Sequence, residues 1–253
     1  MWKVIYESVA GVAHGRRPEA CQDGACAAVV KARGGEPVLV VACADGAGSA
    51  ALGRDGARVA VEALVDLVRG DLERGLAVRA IELAHMLAWY RGARARLEAA
   101  AARRGAGLRD LACTALAAVV GPGESAFGQV GDGAIVALDG DAYRPVFWPQ
   151  TGEYANATNF LTGDGFERAL AFAALDHEVD ELAVFTDGLQ TLALRLAEHR
   201  AHGPFFEPLF RTLRAAADVE ALRDPLRAFL DSPRVNERTD DDKTLVLATR
   251  LPP

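Results

Sequence analysis

The side chains best suited to chemistry are aspartates that stand at the ends of apolar strands. Asp45 follows the run Val-Leu-Val-Val-Ala-Cys-Ala and precedes Gly46, while Asp187 follows Leu-Ala-Val-Phe-Thr and precedes another glycine. Asp132 lies between two short apolar runs, and the run 240–242 leads straight into one more. A buried carboxylate without a partner is too costly to keep ionised, so several that converge need a cation. The pattern predicts a metal centre built from oxygen ligands.

Any one of these aspartates is explained at least as well as a turn former, because its side chain caps backbone N–H groups and glycine supplies a positive φ. Four such sites, each at one end of an apolar strand, are explained less well in that way. Carboxylates without partnered His or Cys favour hard cations, so we expect Mg²⁺ or Mn²⁺ rather than zinc. Two such ions about 3.5–4 Å apart lower the pKa of a shared water and hold a phosphoryl group for in-line attack.

The elements that must position these carboxylates come in runs of one type. Period-two patterns predict strands, and apolar residues at helical spacing predict helices with proline and glycine between them. Runs of strands followed by runs of helices indicate an α+β fold, and with no repeat or linker we expect one domain over 1–253. The predicted strands are 2–13, 24–32, 38–45, 112–120, 125–130, 134–138, 143–148, 169–175, 181–185 and 244–249, and the predicted helices are 53–72, 78–104, 189–199, 205–217 and 219–230.

Composition narrows the functional classes. The net charge of −7 argues against nucleic acid as the main partner. No apolar run approaches membrane-spanning length, and the first residues show no leader pattern, so we expect a cytoplasmic protein that does not bind membranes. The scattered cysteines lack the paired spacing of a zinc site and are better explained as buried thiols than as ligands; they are Cys21, Cys26, Cys43 and Cys113.

Taken in order, the short motifs carry a family resemblance. They resemble those of the metal-dependent PP2C-type Ser/Thr phosphatases, and most of all the compact bacterial branch of that family. The match runs from about Val9 to the last strand. The motifs are Cys-Gln-Asp at 21–23, Ala-Asp-Gly-Ala-Gly-Ser at 44–49, Val-Gly-Asp-Gly at 130–133, Gly-Glu-Tyr-Ala-Asn at 152–156, Phe-Thr-Asp-Gly-Leu at 185–189 and Asp-Asp-Lys-Thr at 241–244.

The resemblance implies a four-layer αββα sandwich of two antiparallel sheets flanked by helices, with two Mn²⁺ or Mg²⁺ ions between the sheets at one edge. It implies hydrolysis of phosphoserine and phosphothreonine by a water or hydroxide that bridges the ions. The substrate is then a phosphoprotein, with a cognate Ser/Thr kinase, and we expect the enzyme to act as a monomer. A third, weaker ion is implied at Asp132 together with Asp187.

By the same likeness, each site residue has an implied role. Asp45 bridges both ions, and the Gly46 carbonyl binds one of them. Asp187 and Asp241 complete the first site, and Asp23 holds water bound to the second ion. Within 240–242 the register is ambiguous, and Asp241 is chosen because Asp-x-x-Thr then matches the family pattern.

Two departures concern charge and proton donation. Many eukaryotic members have Glu where this chain has Gln22, and many have a proton-donating His where it has Ala47. A fixed general acid typically contributes about 10²–10⁴-fold to the rate, so another donor is needed or turnover on alkyl phosphoesters is slow. His14, which ends the first predicted strand, is a candidate donor. A structural histidine explains it somewhat better.

A further departure concerns phosphate binding. The family's phosphate-holding arginine aligns with Pro18 here, although Arg16 or Arg17 can reach over with a bidentate guanidinium. Solvated turn residues explain this arginine pair about equally well.

Alternative functions fit the sequence less well. A phosphoaspartate enzyme would use Asp139 and Asp141, but Asp139-Gly140 reads better as a hairpin turn. No cysteine is followed by arginine at the spacing of a cysteine-based phosphatase. A catalytically weak or inactive PP2C-like binding module is favoured by the departures, whereas retention of all the aspartates favours catalysis.

Overall fold

Two five-stranded antiparallel sheets form the centre of the computed structural model, which describes residues 1–14, 21–150 and 158–251. In spatial order the first sheet contains β1 (Trp2–Val9), β12 (Lys243–Arg250), β9 (Glu181–Phe185), β6 (Ala134–Asp139) and β7 (Ala142–Pro145). The second contains β2 (Gly24–Lys31), β3 (Pro37–Ala44), β4 (Ala115–Val120), β5 (Ser125–Val130) and β8 (Ala171–Leu175).

Helices cover the outer face of each sheet. Two long helices, α1 (Gly53–Arg74) and α2 (Leu83–Arg104), pack on the second sheet, and α5 (Gly203–Ala215) and α6 (Arg223–Leu230) pack on the first. The result is the four-layer α+β sandwich that the sequence predicts. Short elements complete the description: α3 (Phe166–Ala169), α4 (Gln190–Ala193), α7 (Pro233–Asn236) and the two-stranded ribbon of β10 (Leu194–Arg195) and β11 (Arg200–Ala201).

Strand β3 shows why the sequence folds into layers. Its side chains alternate between two cores: Val38 and Val40 face the helices, while Leu39 and Val41 face the other sheet. All of them are at most 1% exposed. A strand that is buried on both faces reads as a continuous apolar run rather than as an alternation, and that is how this stretch reads.

Helix α1 follows from its own pattern. Residues such as Ala57, Val61, Leu64 and Val68 recur at helical spacing and are buried against the second sheet. Gly75, with φ of 107°, ends the helix in the left-handed region that glycine adopts without strain. None of the helices in the described ranges is long and apolar enough to span a membrane.

The region after Asp187 corrects one prediction. We predicted a helix over 189–199, but α4 ends at Ala193 and the chain then forms the β10–β11 ribbon, in which Leu194 pairs with Ala201. Leu194 and Ala201 are buried in the core between the first sheet and its helices. Over so few residues, the spacing of apolar side chains does not distinguish a helix from a short ribbon. The first strand is also shorter than predicted, since β1 ends at Val9 and the turn Val12–His14 follows.

Candidate metal centre

The predicted aspartates lie where the strands of both sheets end. Asp45 directly follows β3 of the second sheet, and Asp187 lies just after β9 of the first. Asp132 lies in the turn through which the chain passes from β5 in one sheet to β6 in the other. Asp23 and Asp241 come shortly before β2 and β12. The layering therefore brings residues that are distant in sequence to one edge of the sandwich.

Three of these carboxylates form a tight group. Asp45, Asp132 and Asp187 each offer an oxygen atom, and these atoms all lie within 4.8 Å of one another. Asp241 lines the same cleft of about 340 Å³ as Asp45 and Asp187. Asp23 lies within hydrogen-bonding contact of the Asp45 side chain. Asp132, which the family resemblance assigns to a third ion together with Asp187, thus lies close to Asp187.

The electrostatics of the cleft disfavour its negative charges. Burial, followed by the charges of Asp132, Asp241 and Asp23, raises the pKa of Asp187 to about 8. Burial also raises the pKa of Asp45, and the nearby carboxylates raise it further. Among the described residues that line the cleft, none is a lysine or an arginine. Within the described ranges, the cleft wall therefore brings several carboxylates together without a lysine or arginine among its lining residues.

Unused oxygen atoms test whether a cation fits. Thr186 donates its hydroxyl to Asp23 Oδ2 at 2.7 Å, but Asp23 Oδ1 is buried and has no hydrogen-bond partner among the described residues. Asp132 Oδ1 is in the same situation. Buried polar atoms are normally paired, so unpaired carboxylate oxygens that converge indicate a missing positive partner. The atoms that these aspartates offer as metal ligands are all carboxylate oxygens, and the residues therefore fit a hard divalent cation such as Mg²⁺ or Mn²⁺.

The structure separates the three consecutive aspartates at 240–242. Asp242 is 2% exposed, and its two oxygens accept the backbone N–H groups of Gly11 at 2.7 Å and Gln22 at 2.6 Å. Asp240 is exposed, and its carbonyl accepts the N–H of Ala13 at 3.0 Å. Both Asp241 and Asp242 line the cleft, but both oxygens of Asp242 are already bonded to backbone. Among the described residues, Asp241 accepts a backbone N–H at Oδ1 alone, that of Asp242 at 2.8 Å, so it is the member of the run in the cleft whose other oxygen suits a metal ligand.

Glycine is required after Asp45 because the chain is crowded there. A Cβ on Gly46 would lie 2.4 Å from the backbone of Gly53 and 2.7 Å from the carbonyl oxygen of Gln22. Gly46 also pairs with Cys113 in an isolated β-bridge and contributes to the cleft wall. Gly46, whose carbonyl is predicted to be a ligand, therefore lies at the site, on a backbone that tolerates no side chain.

Two predicted residues fall where the structure gives no side chain. Arg17 lies outside the described residues, as do Arg16 and the motif at 152–156. The backbone of His14 ends the turn Val12–His14, which is fastened beside the 240–242 run by Ala13, but its side chain is outside the description. Their roles as proton donor and phosphate contact stay predictions.

Sequence reasoning missed the hydroxyls that hold the aspartates. Thr114 accepts the N–H of Asp45 at 2.8 Å and returns its own N–H to the Asp45 carbonyl at 2.8 Å. Thr158 donates to the Asp132 carboxylate at 2.8 Å. A single threonine has no periodicity, and its partner is distant in sequence. Thr186, which holds Asp23, differs from the other two threonines because it stands directly before a predicted site residue, Asp187.

Comparison with known proteins gives consistent matches. Residues 10–231 match the family described as Protein phosphatase 2C. The chain is 36% identical over 250 residues to Serine/threonine-protein phosphatase 3 of Escherichia coli (strain K12), and the alignment covers 98% of each chain.

Solved structures agree in fold. The catalytic domain of serine threonine protein phosphatase PstP, in complex with two manganese ions, superposes with a TM-score of 0.62 at 17% identity, covering 98% of this chain and 99% of that one. Serine/threonine phosphatase Stp1 from Staphylococcus aureus gives a TM-score of 0.60 at 15% identity, covering 100% and 96%. At these identities the similarity establishes a shared sandwich architecture.

Proposed function

This chain belongs to the protein phosphatase 2C family, and from that premise we propose how its acidic cleft hydrolyses phosphoserine and phosphothreonine in proteins. The observation that carries the proposal is the group formed by Asp45, Asp132 and Asp187, whose oxygens lie within 4.8 Å of one another without a lysine or arginine among the described residues of the cleft wall. Such a group is costly without bound cations and well suited to holding them.

Each ligand has a proposed role that its position supports. Asp45 would contribute to two ion sites, since its side chain contacts that of Asp23 and groups with Asp187. Asp187 and Asp241, with the Gly46 carbonyl, would hold the first ion, and Asp23 would hold the second. Asp132 and Asp187 would hold a third, weaker ion. The bound Mn²⁺ or Mg²⁺ ions supply Lewis acidity and a more acidic water.

The chain's own contribution is to hold these groups rigidly. The reciprocal bonds with Thr114 fix the backbone of Asp45, and Thr186 orients Asp23. Preorganised ligands avoid reorganisation when charge develops on the phosphoryl group, which is where such sites gain most of their rate. The cleft of about 340 Å³ admits a phosphorylated side chain at this edge of the sheets.

Two further roles belong to residues near the cleft. We propose that His14 protonates the leaving serine or threonine oxygen, since Ala47 has no proton to give. We propose that Arg17 binds the phosphate, since its guanidinium matches two phosphate oxygens. The anchored turn that ends at His14 supports the first of these roles, because it lies beside the 240–242 run.

The biological setting completes the proposal. The substrate is a phosphoprotein, which we propose is phosphorylated by a cognate Ser/Thr kinase. We propose that 1–253 is one domain acting as a monomer in the cytoplasm, without nucleic acid or membrane as partner. The net charge of −7 supports the absence of a nucleic-acid partner.

Hydrolysis assays test this function directly. The purified protein should release phosphate from an aryl phosphate and from phosphoserine and phosphothreonine peptides when Mn²⁺ or Mg²⁺ is present. Excess EDTA should abolish release, and added Mn²⁺ should restore it. Undiminished release in EDTA would contradict the metal mechanism. Metal binding without turnover of any of these substrates would instead identify a PP2C-like binding module.

A further inference from the structure

The Asp132 carboxylate is held at one oxygen and unpaired at the other. Thr158, which lines the cleft, donates its hydroxyl to Asp132 Oδ2 at 2.8 Å. Asp132 Oδ1 is buried and has no hydrogen-bond partner among the described residues. The same side chain contributes to the group with Asp45 and Asp187. One oxygen is thus engaged by Thr158, while the other has no partner among the residues that the structure describes.

Glutamines fix the backbone on which Asp132 stands. Gln129 donates its amide to the carbonyls of Gly131 at 3.1 Å and Gly133 at 3.2 Å. Gln150 accepts the N–H of Gly131 at 3.0 Å, and Gln190 donates to the carbonyl of Asp132 at 2.6 Å. With the turn held in this way, the freedom that remains is rotation of the Asp132 side chain. The Thr158 hydroxyl restrains that rotation.

Thr158 itself is presented from a well-anchored segment. Downstream of it, Leu161 is fully buried and donates its N–H to the carbonyl of Cys113 at 2.8 Å. Arg94 on α2 donates to the carbonyls of Leu161 and Gly163, both at 2.9 Å. The segment directly downstream of Thr158 is therefore held by the core and by α2.

We propose that Thr158 is a positioning residue of the metal centre, whose hydroxyl keeps the Asp132 carboxylate directed toward Asp45 and Asp187. The inference rests on the proposed function, because it assumes that this group binds divalent ions. A carboxylate ligand needs an outer partner to hold its orientation, and loss of such partners typically weakens metal binding or activity about 10–100-fold. The hydroxyl is the essential part of Thr158, and its methyl group is dispensable.

Isosteric substitution tests the proposal. Thr158→Val keeps the shape and removes the donor, so calorimetric titration should show Mn²⁺ affinity about 10–100-fold weaker at the weakest resolved site. Thr158→Ser restores the hydroxyl and should bind as the wild type does. Thr191→Val is the matched control, since it removes a hydroxyl bond to the Arg238 carbonyl at 3.2 Å outside the residues that line the cleft. It should leave Mn²⁺ affinity unchanged.

Coupling to Asp132 completes the test. On an Asp132→Asn background, Thr158→Val should cause little further loss, because the carboxylate ligand that Thr158 orients is already absent. Wild-type affinity in Thr158→Val, equal weakening in Thr158→Ser, or full additivity with Asp132→Asn would each overturn the inference. A wild type that binds Mn²⁺ but hydrolyses no phosphoester would overturn the proposed phosphatase activity alone. A wild type that binds no Mn²⁺ would overturn both.

Discussion

Buried carboxylates occur in two regions of this molecule, and the two regions compensate their charge differently. On the helix-covered face of the first sheet, Glu7 is 5% exposed and accepts Arg223 Nε at 2.6 Å and Arg227 Nη2 at 2.9 Å. Glu181 is 2% exposed and is bonded to Arg214 and to the Tyr143 hydroxyl. In the cleft at the sheet edge, no arginine or lysine is among the described lining residues.

The difference shows what each region is for. A buried charge needs a partner, and arginine supplies it where the partner can be permanent. In the cleft, the described lining residues include no such cationic side chain, which suits a cluster that binds an exchangeable cation. Removing a carboxylate should therefore cost stability in the first region and function in the second.

The largest expected effect lies in the cleft. Asp187→Asn removes one member of the group formed with Asp45 and Asp132, so kcat on a phosphoserine peptide at saturating Mn²⁺ should fall by about 10³-fold or more, because charge stabilisation of the reacting phosphoryl group is lost. Glu181→Gln is the control, since Glu181 is a buried carboxylate outside the cleft that is bonded to Arg214. It should keep wild-type turnover. Comparable losses in both variants would erase the distinction between the regions.

A smaller effect should appear at Glu7. Glu7→Gln weakens charge-assisted bonds to two arginines that are about half exposed, so we expect a loss of about 2 kcal/mol in the free energy of unfolding, measured by urea denaturation. The loss should be the same in EDTA and in Mn²⁺. Glu220→Gln, which also contacts Arg223 but is 77% exposed, should change little. A Mn²⁺-dependent loss in Glu7→Gln would show that the regions are coupled.

A third effect is the pH dependence of the metal-free fold. The pKa of Asp187 is raised to about 8, above its unfolded value near 4, so the folded state binds more protons between these values. Stability in EDTA should then fall as pH rises from about 4 to about 8, and the melting temperature should fall with it. Mn²⁺ should reduce or reverse this slope by binding the deprotonated carboxylates.

A matched variant sharpens that comparison. In EDTA at pH 8, Asp45→Asn should melt above the wild type because it relieves repulsion with Asp23 and Asp187. Added Mn²⁺ should stabilise the wild type and barely move the variant. A wild type whose melting temperature rises with pH in EDTA, or ignores millimolar Mn²⁺, would identify these aspartates as turn formers.

Sequence alone predicted the parts of the site that have local signals. Asp45 and Asp187 each follow a long apolar run and precede glycine, so strand end and turn coincide at one residue. The choice between Asp241 and Asp242 depends on Gly11 and Gln22, which lie more than 200 residues away. The family pattern selected Asp241, but no local signal showed that the oxygens of Asp242 are occupied.

The remaining misses have the same cause. The arginines that pair with Glu7 come from α6, and the hydroxyl on Asp132 comes from Thr158, so both pairings form only through tertiary structure. The ribbon after Ala193 was predicted as helix because its few buried apolar residues, Leu194 and Ala201, do not distinguish the two periods over so short a span. Patterns within one element were readable, whereas contacts between elements were not.

The position of β12 has a consequence for synthesis on the ribosome. Every strand of the second sheet, together with α1 and α2, precedes residue 176, so that half can form early. The first sheet cannot, because β12 lies between β1 and β9 and gives β1 its pairing partner. The carboxylate of Asp242 accepts the N–H groups of Gly11 and Gln22, and both of these residues lie more than 200 positions earlier in the chain. Contacts of such separation form late, so the acidic cleft is completed only once the chain through Arg250 has emerged, and a nascent chain has no working centre.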